Sequence, residues 1–188
     1  MLFRTILFTL IILSLNACTF FQDKEANKPL LSKIDGKEYY ALKNGEMNAQ
    51  KACLYIIDGL KDSINYNLKI DLLDSLEAQS FEWRNNYFKA INIVLSDIQE
   101  GQPERLEELT FSYFLHFPNE FISNLNNEGF NNIDSWMSIM SSALKKATTP
   151  DDITTTSVVN ASLSNCDKCD ENNKKLIIRF IHSLENFN

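Results

Sequence analysis

Glycine and proline are scarce in this chain, with 5 and 4 residues among 188. A turn-rich β sandwich needs more of both. Basic side chains are also in short supply: 18 Lys and Arg stand against 25 Asp and Glu, a formal charge of −7. A nucleic-acid binder needs the reverse balance, so that class of partner is excluded. The chemical signatures are missing too. There is no Gly-rich phosphate loop, no Gly-x-Ser-x-Gly elbow and no His-Glu-x-x-His zinc helix. The two histidines, His116 and His182, each sit beside an aliphatic residue and suit a helix face better than a ligand or base role. Aromatics, by contrast, are plentiful, with 13 Phe, and they favour a packed helical core over disorder.

The N-terminus carries the clearest pattern. Arg4 supplies a positive start, and an apolar run over 6–15, interrupted by Thr9 and Ser14, leads to Leu15-Asn16-Ala17-Cys18. The run is shorter than the ~20 residues of a bilayer span. An uncleaved anchor and a plain cleaved signal remain alternatives. The order and spacing resemble the bacterial lipoprotein class, whose signal ends in Leu-x-Ala/Gly-Cys, although Asn16 stands where the class usually has Ser, Ala or Thr. The resemblance implies a signal peptide over 1–17, acylation of Cys18 on sulfur and nitrogen, and a mature chain that starts there. Removing 1–17 takes away Arg4 alone, which leaves 17 basic against 25 acidic side chains and a formal charge of −8. Membrane attachment is then expected from acyl chains and not from a basic face.

Residues 18–47 have no sustained apolar period and form the expected tether. Phe20 and Phe21 suit a headgroup boundary, and the stretch over 38–42 suits a short strand or extended arm. Gln22-Asp23-Lys24-Glu25 is similar to the short acidic export signals of some Bacteroidota surface lipoproteins, and Thr19 fits outer-membrane sorting. The implied location is the outer membrane, on its periplasmic face or at the cell surface.

From 48 to 188 the pattern is helical, and a single all-α domain is expected: an irregular helical bundle or a short stack of helical hairpins. Cys53, Ile56, Ile57, Leu60 and Ile64 share one stripe, which Gly59 weakens by up to ~1 kcal/mol relative to Ala. A shorter helix over 70–79 carries Leu72, Leu73 and Leu76. Ser80 is placed to cap a long helix over 81–100, with Tyr87, Phe88, Ile91, Val94, Leu95 and Ile98 inward and Gly101 at its end. Pro103 opens the next helix, where Glu104, Glu107 and Glu108 are the acids expected at a positive helix start and not a catalytic pair. Leu106, Leu109, Tyr113, Phe114 and Phe117 form its buried line. Pro118 then begins a short helix bearing Phe121, Ile122 and Leu125. Ile133, Trp136, Met137, Met140 and Leu144 mark another. Thr149-Pro150-Asp151-Asp152 predicts a helix over 150–163, with a strand over 153–159 as its rival. Asp170 caps the last helix, with Leu176, Ile177, Phe180, Ile181 and Leu184 inward. Trp83 and Trp136 are expected in the core before any ligand wall.

Cysteine chemistry leaves more than one outcome open. With Cys18 taken by lipid, Cys53, Cys166 and Cys169 remain in an oxidising compartment where thiols tend to pair. Either Cys53 bridges to a tail cysteine, or Cys166 pairs locally with Cys169, or the thiols stay free. The Cys-x-x-Cys spacing also admits redox catalysis or half a zinc site completed by Cys53 with His116 or His182. Asp167 and Asp170 nearby disfavour a thiolate. The leading reading is a non-enzymatic, monomeric, lipid-anchored domain without cofactor that binds another protein at the envelope. An immunity protein against a secreted toxin and a thiol-disulfide enzyme using Cys166 and Cys169 are its rivals.

Overall fold

Gly59 decides where the first helix stops. In the computed structural model, which describes residues 47–127, 131–149 and 153–187, helix α1 (Ala49–Ile57) starts from Asn48, whose side-chain oxygen accepts the Lys51 N–H at 2.9 Å. Its apolar period does not run on to Ile64. Gly59 adopts φ 84°, its N–H bonds to Ile56 O at 3.1 Å, and the Leu60 N–H bonds to Tyr55 O at 2.8 Å. This paired closure through a left-handed residue suits a glycine and turns the chain out of the helix. Leu60 is therefore exposed, and Ile64 regains the core only after a 3₁₀ turn, Lys61–Ser63.

Helix α2 (Tyr66–Asp74) begins before the expected residue 70, because the Asn65 side chain accepts the Leu68 N–H at 3.0 Å and nucleates it earlier. The long helix expected over 81–100 is two helices, α3 (Phe81–Ile93) and α4 (Leu95–Gly101), broken at Val94. The Asn92 carbonyl, next to the break, accepts Asn132 Nδ2–H at 2.8 Å, an outside donor competing with the helical ladder within a β-branched run. Ser80 holds the N-cap position of α3 but turns its hydroxyl to Glu82 Oε2 at 2.6 Å.

Pro103 and Pro118 occupy first-turn positions of α5 (Pro103–His116) and α6 (Pro118–Leu125), as their missing N–H groups favour. Helix α7 (Ile133–Thr148) follows. Helix α8 (Thr155–Ser164) starts later than expected, because Thr154 and Ser157 form a reciprocal capping box. Pro150 to Asp152 lie outside the described residues, and residues 155–159 are helical where a strand was the rival. Helix α9 (Glu171–Glu185) is capped by Asp170, with Ile177, Ile181 and Leu184 buried; Leu176, expected inward, is exposed. The signal segment, Cys18, the tether and the arm over 38–42 also lie outside the described residues.

The fold of the described residues is all-α, a helical bundle without strands. Helix α1 packs on α2 and α3, α5 on α7, and α9 on α7 and α8. Aromatic rings join these layers. Phe88 of α3 stacks on Trp136 of α7 with centroids 4.7 Å apart and meets Phe121 of α6 edge-on at 5.5 Å. Phe114 of α5 and Phe180 of α9 close the cluster at 5.4 Å. Each such pair adds ~0.5–1.5 kcal/mol to the ~1.5–3 kcal/mol from burying a large side chain. Trp83 and Trp136 are both buried, as core residues.

Candidate functional site

Phe117 joins α5 to α6 at the edge of a cleft. Its N–H makes the last bond of α5, to Tyr113 O at 2.8 Å, and its carbonyl accepts the first bond of α6, from the Phe121 N–H at 3.0 Å. Pro118 cannot continue α5, so the chain must turn there. Arg84 of α3 locks the turn. Its guanidinium lies 3.9 Å from the centroid of the Phe117 ring and forks onto Glu120, Nε to Oε2 at 2.8 Å and Nη2 to Oε1 at 2.6 Å. Nη1 donates to Ala78 O at 2.7 Å and Gln79 O at 2.9 Å. The Glu120 carboxylate raises the pKa of Arg84 further, and every described partner is one a planar guanidinium can satisfy at once.

The loop between α8 and α9 forms the opposite wall. Asn165 Nδ2 donates to Leu115 O at 2.9 Å, which pulls the loop against the end of α5. Cys166 and Cys169 form a close pair joined as a disulfide, with Cα atoms 5.3 Å apart. Between the walls lies a cleft of about 400 Å³. Phe81, Phe117 and Pro118 give it an apolar lining, with Glu120, Asp167 and Lys168 as charged groups, and Phe81 is 51% exposed.

Beside this cleft, Ser112 Oγ donates to Glu77 Oε1, and His116 Nδ1 lies 2.9 Å from the same oxygen. The Ser112 hydroxyl first, and His116 second, hold the Glu77 carboxyl below its usual range. Here the carboxylate, not the imidazole, receives the serine hydroxyl, and a carboxylate lowered in this way is a poor general base. The trio ties α5 to the turn that follows α2. His182 likewise meets Glu185 Oε2 at 3.0 Å on an exposed face. A second cleft, about 430 Å³, runs between α5 and α7, with Phe111 and Ala143 flanked by Glu104, Glu107 and Glu108. Glu107 pairs there with Lys146 at 2.6 Å.

Cys53 is a free thiol fully buried in α1, and burial pushes its pKa far up. Tyr87 of α3, close enough to feel Cys53, is pushed up to about 12, chiefly by burial. The long bridge expected as one outcome required α1 against α9. The structure instead sets α1 on α2 and α3, and pairs the two tail cysteines with each other. Among the described residues no three His, Cys, Asp or Glu side chains gather as a metal site, and no helix is long and apolar enough to cross a membrane. The Cys-x-x-Cys segment follows a helix and not the strand of a thioredoxin-type unit.

Sequence reasoning missed the Arg84–Glu120 fork, whose partners are 36 residues apart. A signal was present: Arg84 lies in register with Phe88 and Ile91 on a buried stripe, where a lone charge needs a partner. The chain matches no protein-family model, no curated protein and no solved structure.

Proposed function

We propose that this chain is a lipid-anchored envelope protein whose helical domain, acting as a monomer without cofactor or enzymatic chemistry, holds a segment of a partner protein. Leu15-Asn16-Ala17-Cys18 supports the anchor, and Thr19 with Gln22 to Glu25 supports the outer membrane. The observation that carries the binding role is the cleft between the α5–α6 turn and the Cys166–Cys169 loop, with half-exposed Phe81 on its apolar lining. An aromatic ring held ready in a preformed cleft is the usual anchor of a protein contact. The test is affinity capture from native membranes with wild type and Phe81→Asp in parallel, read by mass spectrometry. A partner recovered with wild type and lost with Phe81→Asp supports the reading; equal recovery by both removes the cleft from it.

The acidic cleft between α5 and α7 favours a second reading, an inhibitor that covers a basic toxin surface. Charge reversal at Glu104 and Glu108 would then abolish capture while Phe81→Asp leaves it intact.

A further inference from the structure

The Cys166–Cys169 bond is set differently from a disulfide that staples a fold. Cys166 is 7% exposed and Cys169 half-buried, and both line the cleft. The chain on either side is held without the bond. The Asn165 N–H donates to Ala161 O at 3.3 Å and the Cys166 N–H to Leu163 O at 3.2 Å, which closes α8. Asp170 opens α9 by accepting the Asn173 N–H at 2.8 Å. Within the loop, the sulfur bond runs parallel to a hydrogen bond from the Cys169 N–H to Cys166 O at 3.0 Å, and Asp167 and Lys168 are exposed. A four-residue ring inside a turn fixed at both ends adds less than half as much to global stability as a bridge closing over a hundred residues. A bond in the wall of an open cleft is also within reach of an attacking thiolate, the setting of labile and regulatory disulfides.

We propose that Cys166–Cys169 is an exchangeable disulfide that sets the shape of the cleft, with a dithiol as its reductant. A thiolate of the dithiol attacks Sγ of Cys169, the more exposed of the two residues. The Cys166–Cys169 bond breaks, Cys166 leaves as a thiolate and takes up a proton, and Cys169 carries a mixed disulfide. The second thiol of the reductant, deprotonated, attacks its own sulfur in that mixed disulfide and releases Cys169, which is protonated in turn. The reductant departs as a disulfide, and two electrons and two protons have passed to the pair. Cys166 and Cys169 are then joined to each other by the backbone hydrogen bond, so this wall of the cleft loosens while the caps of α8 and α9 persist. Control of partner binding by this change rests on the cleft being the binding site; the exchange itself does not.

The test uses the full-length protein in detergent, equilibrated in glutathione redox buffers with a trace of dithiothreitol, quenched with N-ethylmaleimide and mapped by mass spectrometry. Cys166 and Cys169 are expected to label together, with oxidised and reduced forms both populated across the buffer range and Cys53 unlabelled. Amide hydrogen exchange in 115–120 and 165–169 should rise by about tenfold on reduction while α3 and α7 stay protected. The Cys166→Ser/Cys169→Ser double variant should show the same rise without reductant and keep its helical circular dichroism. A pair that stays oxidised until the protein is denatured overturns the proposal, as does unchanged exchange at 115–120 and 165–169 in the reduced form. Equal capture by wild type and Phe81→Asp, with exchange intact, would sink the binding reading and leave the redox site standing.

Discussion

Arg84 and Glu120 form a forked ion pair with unequal burial, their side chains 8% and 21% exposed. The pair joins α3 to the first turn of α6 and holds the wall of the cleft. Glu120→Ala strands a buried guanidinium, although two carbonyls and the Phe117 ring still face it, and should cost about 2–3 kcal/mol. Arg84→Ala abandons those carbonyls and the ring as well, and should cost about 3–4 kcal/mol. Arg84→Lys cannot fork and should recover less than half of that loss. Urea denaturation of the three variants decides the matter; a Lys variant as stable as wild type refutes the account.

Much of the helical pattern is visible in the sequence because its causes are local. Pro103, Pro118 and Asp170 announce helix starts through their own backbone chemistry, and Phe88, Ile91 and Ile98 hold a stripe that only a helix buries on one side. The errors arise where the deciding group is remote or competes with a neighbour. Val94 breaks a periodic run beside Asn92, whose carbonyl is engaged by Asn132, 40 residues on. The Thr149-Pro150 pattern looks like a helix start, yet Thr154 with Ser157 supplies the capping box that sets the observed one. Gly59 is legible as a weak point, but its role as terminator depends on a positive φ that the stripe around it conceals. The cleft is illegible for the same reason, since Phe81, Phe117 and Cys169 meet only after three helices have packed.

Acid should destabilise the domain through its paired carboxylates. Glu77 is held low first by Ser112, Asp97 first by Lys69, and Glu185 first by His182. A folded-state pKa below the unfolded one gives stability that is complete above the unfolded value and is lost as pH falls through the folded value. The ordinary values are 4.5 for Glu and 3.8 for Asp, so the melting temperature should be flat above about pH 5 and fall below it. Asp58, raised by burial, opposes the trend with a single group. The Glu77 and Glu185 pairs are exposed and the Lys69–Asp97 pair is half-buried, so the fall should be gradual. Thermal melts from pH 6 to pH 3 test this, with Glu77→Gln expected to flatten the curve; a melting temperature that rises on acidification contradicts it.

Reduction should lower the melting temperature by several degrees and no more. The chain-entropy model gives about 2 kcal/mol for a four-residue ring, against ~4–5 kcal/mol for a loop of over a hundred residues. With Cys53 free and buried, the small ring is the disulfide among the described residues. The expected fall is at most about 8 °C. Alkylation of the oxidised protein should find no reactive thiol until denaturant exposes Cys53. A larger fall, or a Cys53 peptide linked to a tail cysteine in a non-reducing map, removes this assignment.

Cys18 provides the sharpest test of where the protein resides. Only a thiol directly after Ala17 can take the diacylglyceryl group that the resemblance to lipoproteins implies, and the later amide acylation needs the amino group freed by cleavage at the same place. One acyl chain gives marginal membrane binding, whereas two or more give a stable anchor at ~0.8 kcal/mol per buried CH₂. An acidic chain, with 25 Asp and Glu against 18 Lys and Arg, gains nothing from anionic headgroups to replace that anchor. Metabolic palmitate labelling should therefore mark the wild-type protein, and Cys18→Ala should carry no label and accumulate with residues 1–17 still attached. Label that persists in Cys18→Ala, or a mutant processed at the wild-type rate, rules out lipidation at Cys18 and reduces the N-terminal pattern to a plain signal.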